Sequence, residues 1–321
     1  MRAIQIRNTG GPKVLELLDV AEPSMSEDDA LIDISLAGIN YIDIYHREGR
    51  YPKPLPFIPG AEGIGTIRKL GSNSPQDLKI GMKVGWVMHT GGYAEVAAIP
   101  AASLIPIPSD IADDAAVTLL LQGMTAHYLA KDSYKISRND TVVVHSAAGG
   151  VGLLLTRYAA SLGANVLATC STAAKREMAL QEGAAHAVNY DSFVKAAQEM
   201  TSGVGANAVY DGVGAATFLD SIAALRRRGS LVSYGNASGS IPAFEPKQLL
   251  KSIFFSRPSL GDHVATRTEL LWRSAEVFQA YREDRMRVHL GGVYSLENIQ
   301  QAHIDLESRV TSGKLLVQVR S

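Results

Sequence analysis

The sequence predicts an α/β protein, in which a doubly wound parallel-sheet domain is inserted into a β-barrel domain. Three observations carry this. A chain of 321 residues exceeds one compact core and points to about two domains. From about Ala112 onward, apolar strands alternate with helical stretches, the pattern of a parallel sheet covered on both faces. The first hundred or so residues instead hold short strands broken by Gly and Pro, and a closing strand from Gly313 to Val319, too isolated to stand alone, returns to them.

In the first stretch, Leu31 to Leu36 alternates. Ile32, Ile34 and Leu36 share one face, and Asp33 and Ser35 take the other, as in a half-buried strand. Gly10, Gly11, Gly60, Gly63, Gly65, Gly71, Gly81, Gly85, Gly91 and Gly92 set tight turns between such strands. Pro52, Pro54, Pro56 and Pro59 impose an extended loop poor in backbone donors. A small, irregular barrel follows.

The second stretch opens with the apolar strand Thr141 to His145. A helix from Gly150 to Leu162 carries Val151, Leu154, Leu155, Tyr158 and Leu162 on one face and closes at Gly163. A strand over 165–170 and a helix over 173–182 come next. Further strands are expected near 186–189, 208–211 and 230–234. Arg226, Arg227 and Arg228 read as a solvated helix end before Gly229. A long amphipathic helix is expected over 267–285, opened by a capping box of Thr266 and Glu269.

Composition excludes several classes. Hydrophobic residues are 46%, charged residues 20%, and the net charge is -1. No Lys/Arg block is long enough to track phosphates, so nucleic acid is not an expected partner. The start lacks a signal-peptide core, and no run approaches ~18 apolar residues, so no membrane is expected and the cytoplasm is. A single cysteine, Cys170, excludes an internal disulfide and a four-thiolate metal centre. No metal is expected.

Directly after the Thr141 strand comes Ser146-Ala147-Ala148-Gly149-Gly150-Val151-Gly152. Aligned to G-x-G-x-x-G, it puts Ala147, Gly149 and Gly152 at the glycine positions. Gly149 would let backbone approach a pyrophosphate, and Gly152 would let helix and strand pack closely. The helix start adds N–H donors and dipole potential. A tight turn alone is the bland alternative. The order strand, turn, helix selects a dinucleotide-binding Rossmann domain.

At the end of the next strand, NAD-binding chains usually place an acid to hold the ribose hydroxyls. Here the chain reads Cys170-Ser171-Thr172-Ala173-Ala174-Lys175-Arg176. Hydroxyls and a cation suit a 2′-phosphate, so NADPH is the expected cofactor. The alternative makes Ser171 or Thr172 a helix cap and Lys175 a surface residue.

The stretches Ala37–Asp43, Tyr45–Gly49, Pro59–Gly63, Gly91–Glu95, Ala147–Gly152, Tyr210–Gly214, Tyr234–Gly239 and Ser256–Leu260 come in this order. Together they resemble the zinc-independent quinone oxidoreductases, the zeta-crystallin-like branch of the medium-chain dehydrogenase/reductase superfamily, over essentially the whole chain. The resemblance implies a GroES-like domain from residues 1–123 and 263–321, with the Rossmann domain over 124–262. Zinc-dependent relatives carry Cys near the first motif and Gly-His-Glu where this chain has Gly60-Ala61-Glu62. Here Asn40 and Ala61 stand at those positions, so zinc polarisation of an alkoxide is not expected.

The resemblance also implies roles for individual residues. Asn40, Tyr45 and Tyr51 would position the substrate and donate hydrogen bonds, unless Asn40 and Tyr45 are turn or packing residues. Tyr41, Ile42 and Asp43 would line the nicotinamide side of the cofactor. Thr125, Ala148, Gly149, Gly150, Val151, Gly152 and Gly212 would also contact it. Ser171 and Lys175 would meet the 2′-phosphate, with Tyr190 near the adenosine. Tyr234, Gly235, Asn236 and Ala237 would reach toward the nicotinamide, and Phe254, Phe255 and Ser256 would close its far side. His46 reads as an exposed helix-surface histidine.

The implied activity is NADPH-dependent, metal-free reduction of small quinones. Reduction of an activated C=C bond, in a 2-alkenal or enoyl-thioester, is the enzymatic alternative. A non-catalytic crystallin-like or RNA-binding role is the third. A homodimer is expected through the apolar edge strand Ile253-Phe254-Phe255.

Overall fold

The structure, a computed structural model, describes residues 1–320. It divides into two compact units. One comprises Met1–Leu121, Val264–Phe278 and the chain from Leu290 onward, and the other comprises Gln122–His263 and Gln279–His289.

In chain order, the first unit contributes β1 (Arg2–Gln5), β2 (Glu16–Asp19), β3 (Asp29–Ile39), helix α1 (Tyr41–Glu48), β4 (Glu62–Leu70), β5 (Lys83–Val87), β6 (Val96–Pro100), β7 (Ile105–Pro106) and α2 (Asp113–Thr118). A π-helical stretch, Leu119–Gly123, leads into α3 (Met124–Tyr128), and a second, Leu129–Ser133, follows it. The other unit supplies β8 (Thr141–His145), α4 (Gly150–Ser161), β9 (Asn165–Thr169), α5 (Ala173–Gln181), β10 (His186–Val188), α6 (Phe193–Met200), β11 (Ala206–Asp211), α7 (Phe218–Ala224), β12 (Leu225–Ser233), β13 (Phe254–Ser256) and α8 (Leu260–His263). The chain ends with α9 (Arg267–Arg282), β14 (Leu290–Ser295), α10 (Ile299–Glu307) and β15 (Lys314–Gln318).

The first unit is built on a seven-stranded sheet in the order β14-β15-β3-β4-β5-β7, with β6 also paired to β3. The expected alternation on β3 holds: Ile32, Ile34 and Leu36 are buried while Asp33 and Ser35 are only partly covered. Ile32 and Ile34 join Ile4, Trp86, Tyr93, Leu315 and Val317 in one core. β15 returns as expected and pairs antiparallel with β3, placing Leu315 opposite Ile39.

The second unit is an all-parallel sheet in the order β10-β9-β8-β11-β12-β13. By position in its own chain segment this is 3-2-1-4-5-6, the doubly wound order whose ligand crevice opens beside the first strand, here β8. Val142, Val143 and Val144 are wholly buried between the helical layers, which is why β8 reads as an unbroken apolar run. Among the described residues, no helix is long and apolar enough to cross a membrane.

Three details differ from expectation. Arg226, Arg227 and Arg228 do not end a helix. α7 stops at Ala224, because Leu225 turns inward to pair with Ala206 and is fully buried, so the arginines fall on β12 beside a register shift. Residues 279–289 belong with the nucleotide-type sheet rather than with the rest of the C-terminal region. Arg157 of α4 donates to the Asp284 carbonyl at 2.7 Å, His289 lies 2.9 Å from the Glu182 carboxylate, and Met286 is buried. The long helix also ends at Arg282, short of 285, where Asp284 takes a left-handed conformation (φ 54°). Its expected capping box is present: Glu269 accepts from the Thr266 N–H at 3.0 Å, and Thr266 Oγ1 accepts from the Glu269 N–H at 3.2 Å.

Candidate functional site

The phosphate-type cradle lies between β8 and α4. Ser146 adopts a left-handed φ of 53°, which turns its carbonyl beneath the helix start, where it accepts from the Gly149 N–H at 2.9 Å. A Cβ at Gly152 would lie 2.2 Å from that carbonyl and 2.7 Å from the Ala147 Cα. Only glycine fits there. The first helical bond runs from the Leu153 N–H to the Gly149 carbonyl at 2.9 Å. The N–H groups of Gly150, Val151 and Gly152 therefore lack partners in the helix ladder and stand at its positive end. Ala148 is buried beneath them.

Two neighbours were not legible in the motif. A Cβ at Gly150 would lie 2.0 Å from Gln122 Oε1, so the side chain of a residue far upstream packs against this turn. Tyr190 Oη accepts from the Ser146 N–H at 3.1 Å, which sets its ring beside the cradle; burial pushes its phenol up. Thr125 is buried on α3 between the two π-helical stretches, a distortion often found at functional sites.

At the end of β9, Thr172 is the helix cap, its Oγ1 accepting from the Lys175 N–H at 3.3 Å. Ser171 lies outside the cap and is exposed. Lys175 sits in the first turn of α5, and no acidic side chain occupies that turn.

The loops after β11 and β12 interlock. A Cβ at Gly212 would lie 2.8 Å from the Tyr234 ring, and one at Gly235 would lie 2.6 Å from the Gly212 carbonyl. Ala237, next to Asn236, donates its N–H to the same carbonyl at 3.3 Å. Burial raises the Tyr234 phenol. On β13, Phe255 does not turn outward. Its ring packs 6.0 Å from Phe218 and 5.6 Å from Phe244, so it lies partly buried against the core. Phe254 is 61% exposed, and Ser256 is half-buried.

In the first unit, α1 gathers the remaining residues. Asn40 is its N-cap, with its amide clamped at both ends: Nδ2 donates to Glu62 Oε1 at 2.7 Å, and Oδ1 accepts from Lys314 Nζ at 2.9 Å. Lys314 and Glu62 form an ion pair with neither side chain exposed. Gly38 leaves room for it, since a Cβ there would lie 2.1 Å from Glu62 Oε1. Asp43 is fully buried and accepts from the N–H groups of Asn40 and Ala61 at 2.9 Å and from the Tyr93 hydroxyl at 3.1 Å. Its carboxylate organises the start of α1 and is closed to a ligand, whereas Ile42 is partly exposed. Burial lifts the Asp43 pKa to about 7.

Tyr45 and Tyr51 come together edge to face, with centroids 5.3 Å apart, and Tyr41 stands 6.2 Å from Tyr45. The Tyr41 hydroxyl donates to the Leu306 carbonyl at 3.1 Å. The Arg50 guanidinium lies 5.5 Å over Tyr45.

His46 overturns its expected exposure. α1 is covered on more than one side, leaving His46 6% exposed, with no hydrogen-bond partner at Nδ1. Burial, with Lys53 nearby, depresses its pKa to about 4. An imidazole that the folded state keeps neutral stabilises it fully above pH ~6.5 and loses that contribution as pH falls toward 4. The buried Asp43, its carboxyl raised to about 7, acts in the opposite sense over the same interval, so the difference between proteins is the readout. His46→Gln should lose less melting temperature than wild type between pH ~6.5 and 4 in parallel thermal scans.

The second unit thus presents what a dinucleotide requires: a close-approach turn that a Cβ would fill, helix N–H groups aimed outward, and a strand end without an acid. Comparison with known proteins agrees. Residues 26–109 match the family described as alcohol dehydrogenase GroES-like domain, and residues 150–271 match the one described as zinc-binding dehydrogenase. A probable quinone oxidoreductase of Schizosaccharomyces pombe is 36% identical over 98% of this chain and 96% of its own. A mycobacterial protein solved in complex with NADPH superposes with a TM-score of 0.96 at 39% identity, over 99% of this chain and 100% of its own. The Escherichia coli quinone oxidoreductase, also complexed with NADPH, gives 0.95 at 35% identity, over 99% of this chain and 100% of its own.

Proposed function

The chain belongs to the zinc-independent quinone oxidoreductases of the medium-chain dehydrogenase/reductase superfamily, and from that premise we propose that it reduces small quinones with NADPH. One observation carries the reading: the cradle Ser146–Gly152 is followed, on the adjacent strand end, by Ser171 and Lys175 where an acid would select NAD. NADPH, when bound, supplies the hydride. The N–H groups of Gly150, Val151 and Gly152 would hold its pyrophosphate, Ser171 and Lys175 its 2′-phosphate, and Tyr190 would flank the adenosine. Gly212, Tyr234, Gly235, Asn236 and Ala237 would orient the nicotinamide.

In the first unit, Tyr45 and Tyr51 would direct their hydroxyls at a quinone oxygen. Asn40 would fix the backbone from which they project. Reduction aromatises a quinone, so hydrogen-bond donors suffice and no strong acid is required. Asn40 and Ala61 offer no thiolate or imidazole where zinc-dependent relatives have them, so no step is routed through a metal.

Steady-state assays with 1,4-benzoquinone and a 2-alkenal in parallel test the substrate class. We expect the higher kcat/KM on the quinone, and a higher value on the alkenal would replace the reading with C=C reduction. Lys175→Glu should raise the Kd for NADPH by about tenfold or more, the scale of one charge-assisted contact, with little change for NADH. Unaltered NADPH affinity would remove the phosphate assignment. β13 is the sheet edge and exposes Phe254, and we propose that two copies pair along it; sedimentation showing only a 34.3 kDa species would exclude this. The single, buried cysteine suits the reducing cytoplasm.

A further inference from the structure

Inside the second unit, four side chains form one continuous run of hydrogen bonds. Thr169 Oγ1 lies 2.8 Å from His145 Nδ1, His145 Nε2 lies 3.0 Å from Ser221 Oγ, and Ser221 Oγ donates to Asp211 Oδ2 at 3.0 Å. None of the four is more than 1% exposed. Asp211 also accepts from the Thr217 hydroxyl at 2.8 Å and from the N–H groups of Val213 and Gly214 at 2.8 and 2.9 Å.

The polarity of the run follows from its end. A carboxylate only accepts, so Ser221 gives it the hydroxyl proton and must itself receive one from His145 Nε2–H. Nδ1 is then bare and accepts from Thr169. Burial opposes a second proton on the ring and lowers its pKa, against the pull of Asp211. His145 is thus a neutral imidazole of one tautomer.

Its location gives the run a purpose. Thr169, His145 and Asp211 are the last residues of three adjacent strands, β9, β8 and β11. Each is followed at once by a loop assigned to the cofactor: Ser171 after the first, Ser146–Gly152 after the second, Gly212–Gly214 after the third. Strand pairing fixes the strands but not the loops beyond them. An apolar core would pack as well without the desolvation that buried polar groups incur. We propose that His145 is a positioning residue for the dinucleotide, setting the spacing of the ribose, phosphate and nicotinamide loops through Thr169 and the Ser221–Asp211 link. This rests on the reading of the unit as NADPH-binding.

The test is titration of NADPH, without quinone, into the wild-type protein and into His145→Phe, His145→Gln, Ser221→Ala and the combined His145→Phe/Ser221→Ala, followed by nicotinamide fluorescence at a temperature where circular dichroism shows each to be folded. His145→Phe should raise Kd about tenfold, the scale of one buried hydrogen bond left unmade. Ser221→Ala should raise it less. The combined variant should be no weaker than His145→Phe, because both changes cut one run. His145→Gln, which keeps a donor and an acceptor, should recover part of the affinity. Wild-type affinity in His145→Phe, or strict additivity with no recovery in His145→Gln, would overturn the positioning role. Should His145→Phe fail to fold, Ser221→Ala decides alone, and wild-type affinity there overturns the proposal. A wild-type protein that does not bind NADPH would overturn the functional reading instead.

Discussion

Replacing Gly152 by alanine should cost about 3 kcal/mol of stability or more and abolish useful NADPH affinity. The added methyl would lie 2.2 Å from the Ser146 carbonyl and 2.7 Å from the Ala147 Cα. Both are backbone atoms held by the β8–α4 turn, so no side chain can swing aside, which puts the cost at the upper end for overpacking. Gly149→Ala is the informative partner. Its Cβ would come no closer than 3.2 Å to the same carbonyl, and its backbone is extended, which alanine adopts readily. Its melting temperature should fall far less than that of Gly152→Ala while NADPH binding weakens, because the methyl would stand where the pyrophosphate approaches. Calorimetric melting with fluorescence titration of both variants separates a folding role from a binding one. Unchanged NADPH affinity in Gly149→Ala would refute the close-approach role.

The second large effect is expected at the buried pair beneath Asn40. Lys314→Met would leave Glu62 wholly buried without its cation and remove the donor to Asn40 Oδ1. Breaking one side of such a pair typically costs about 3–5 kcal/mol. The double variant Glu62→Gln/Lys314→Met removes both charges and should regain most of that loss, since neutral groups of similar size carry no comparable desolvation penalty. Chemical denaturation of the three proteins measures both quantities. A double variant as unstable as Lys314→Met would mean that shape, not charge, holds this corner.

What could be read from the sequence was what is local in it. The period-two alternation on β3 and the apolar run of β8 announce their own burial. The cradle from Ser146 to Gly152 is contiguous, and Ser171 and Lys175 stand close together in the chain. The doubly wound order follows from repetition of one local unit. What escaped was set by partners distant in the chain. His46 lies on a short helix covered on more than one side, so no periodicity marks it as buried. Gln122 meets Gly150, and Lys314 meets Asn40, only in three dimensions. Residues 279–289 change allegiance because Arg157 and Glu182 hold them. Phe255 packs against the core because Phe218 and Phe244 offer it ring contacts there.

The pairing of β15 with β3 has a consequence for synthesis. Leu315 to Gln318 complete the sheet beside Leu36 to Ile39, yet a ribosome delivers them more than 270 residues later, as the 274-residue separation of Lys314 from Asn40 shows. The nascent first unit waits with that flank of β3 unpaired, an edge competent to pair with a neighbouring chain. All of the nucleotide-type unit emerges before the missing strand does. Closure of the first sheet is therefore late, dominated by distant contacts and slow, and the interval before it is when this chain is most exposed to aggregation.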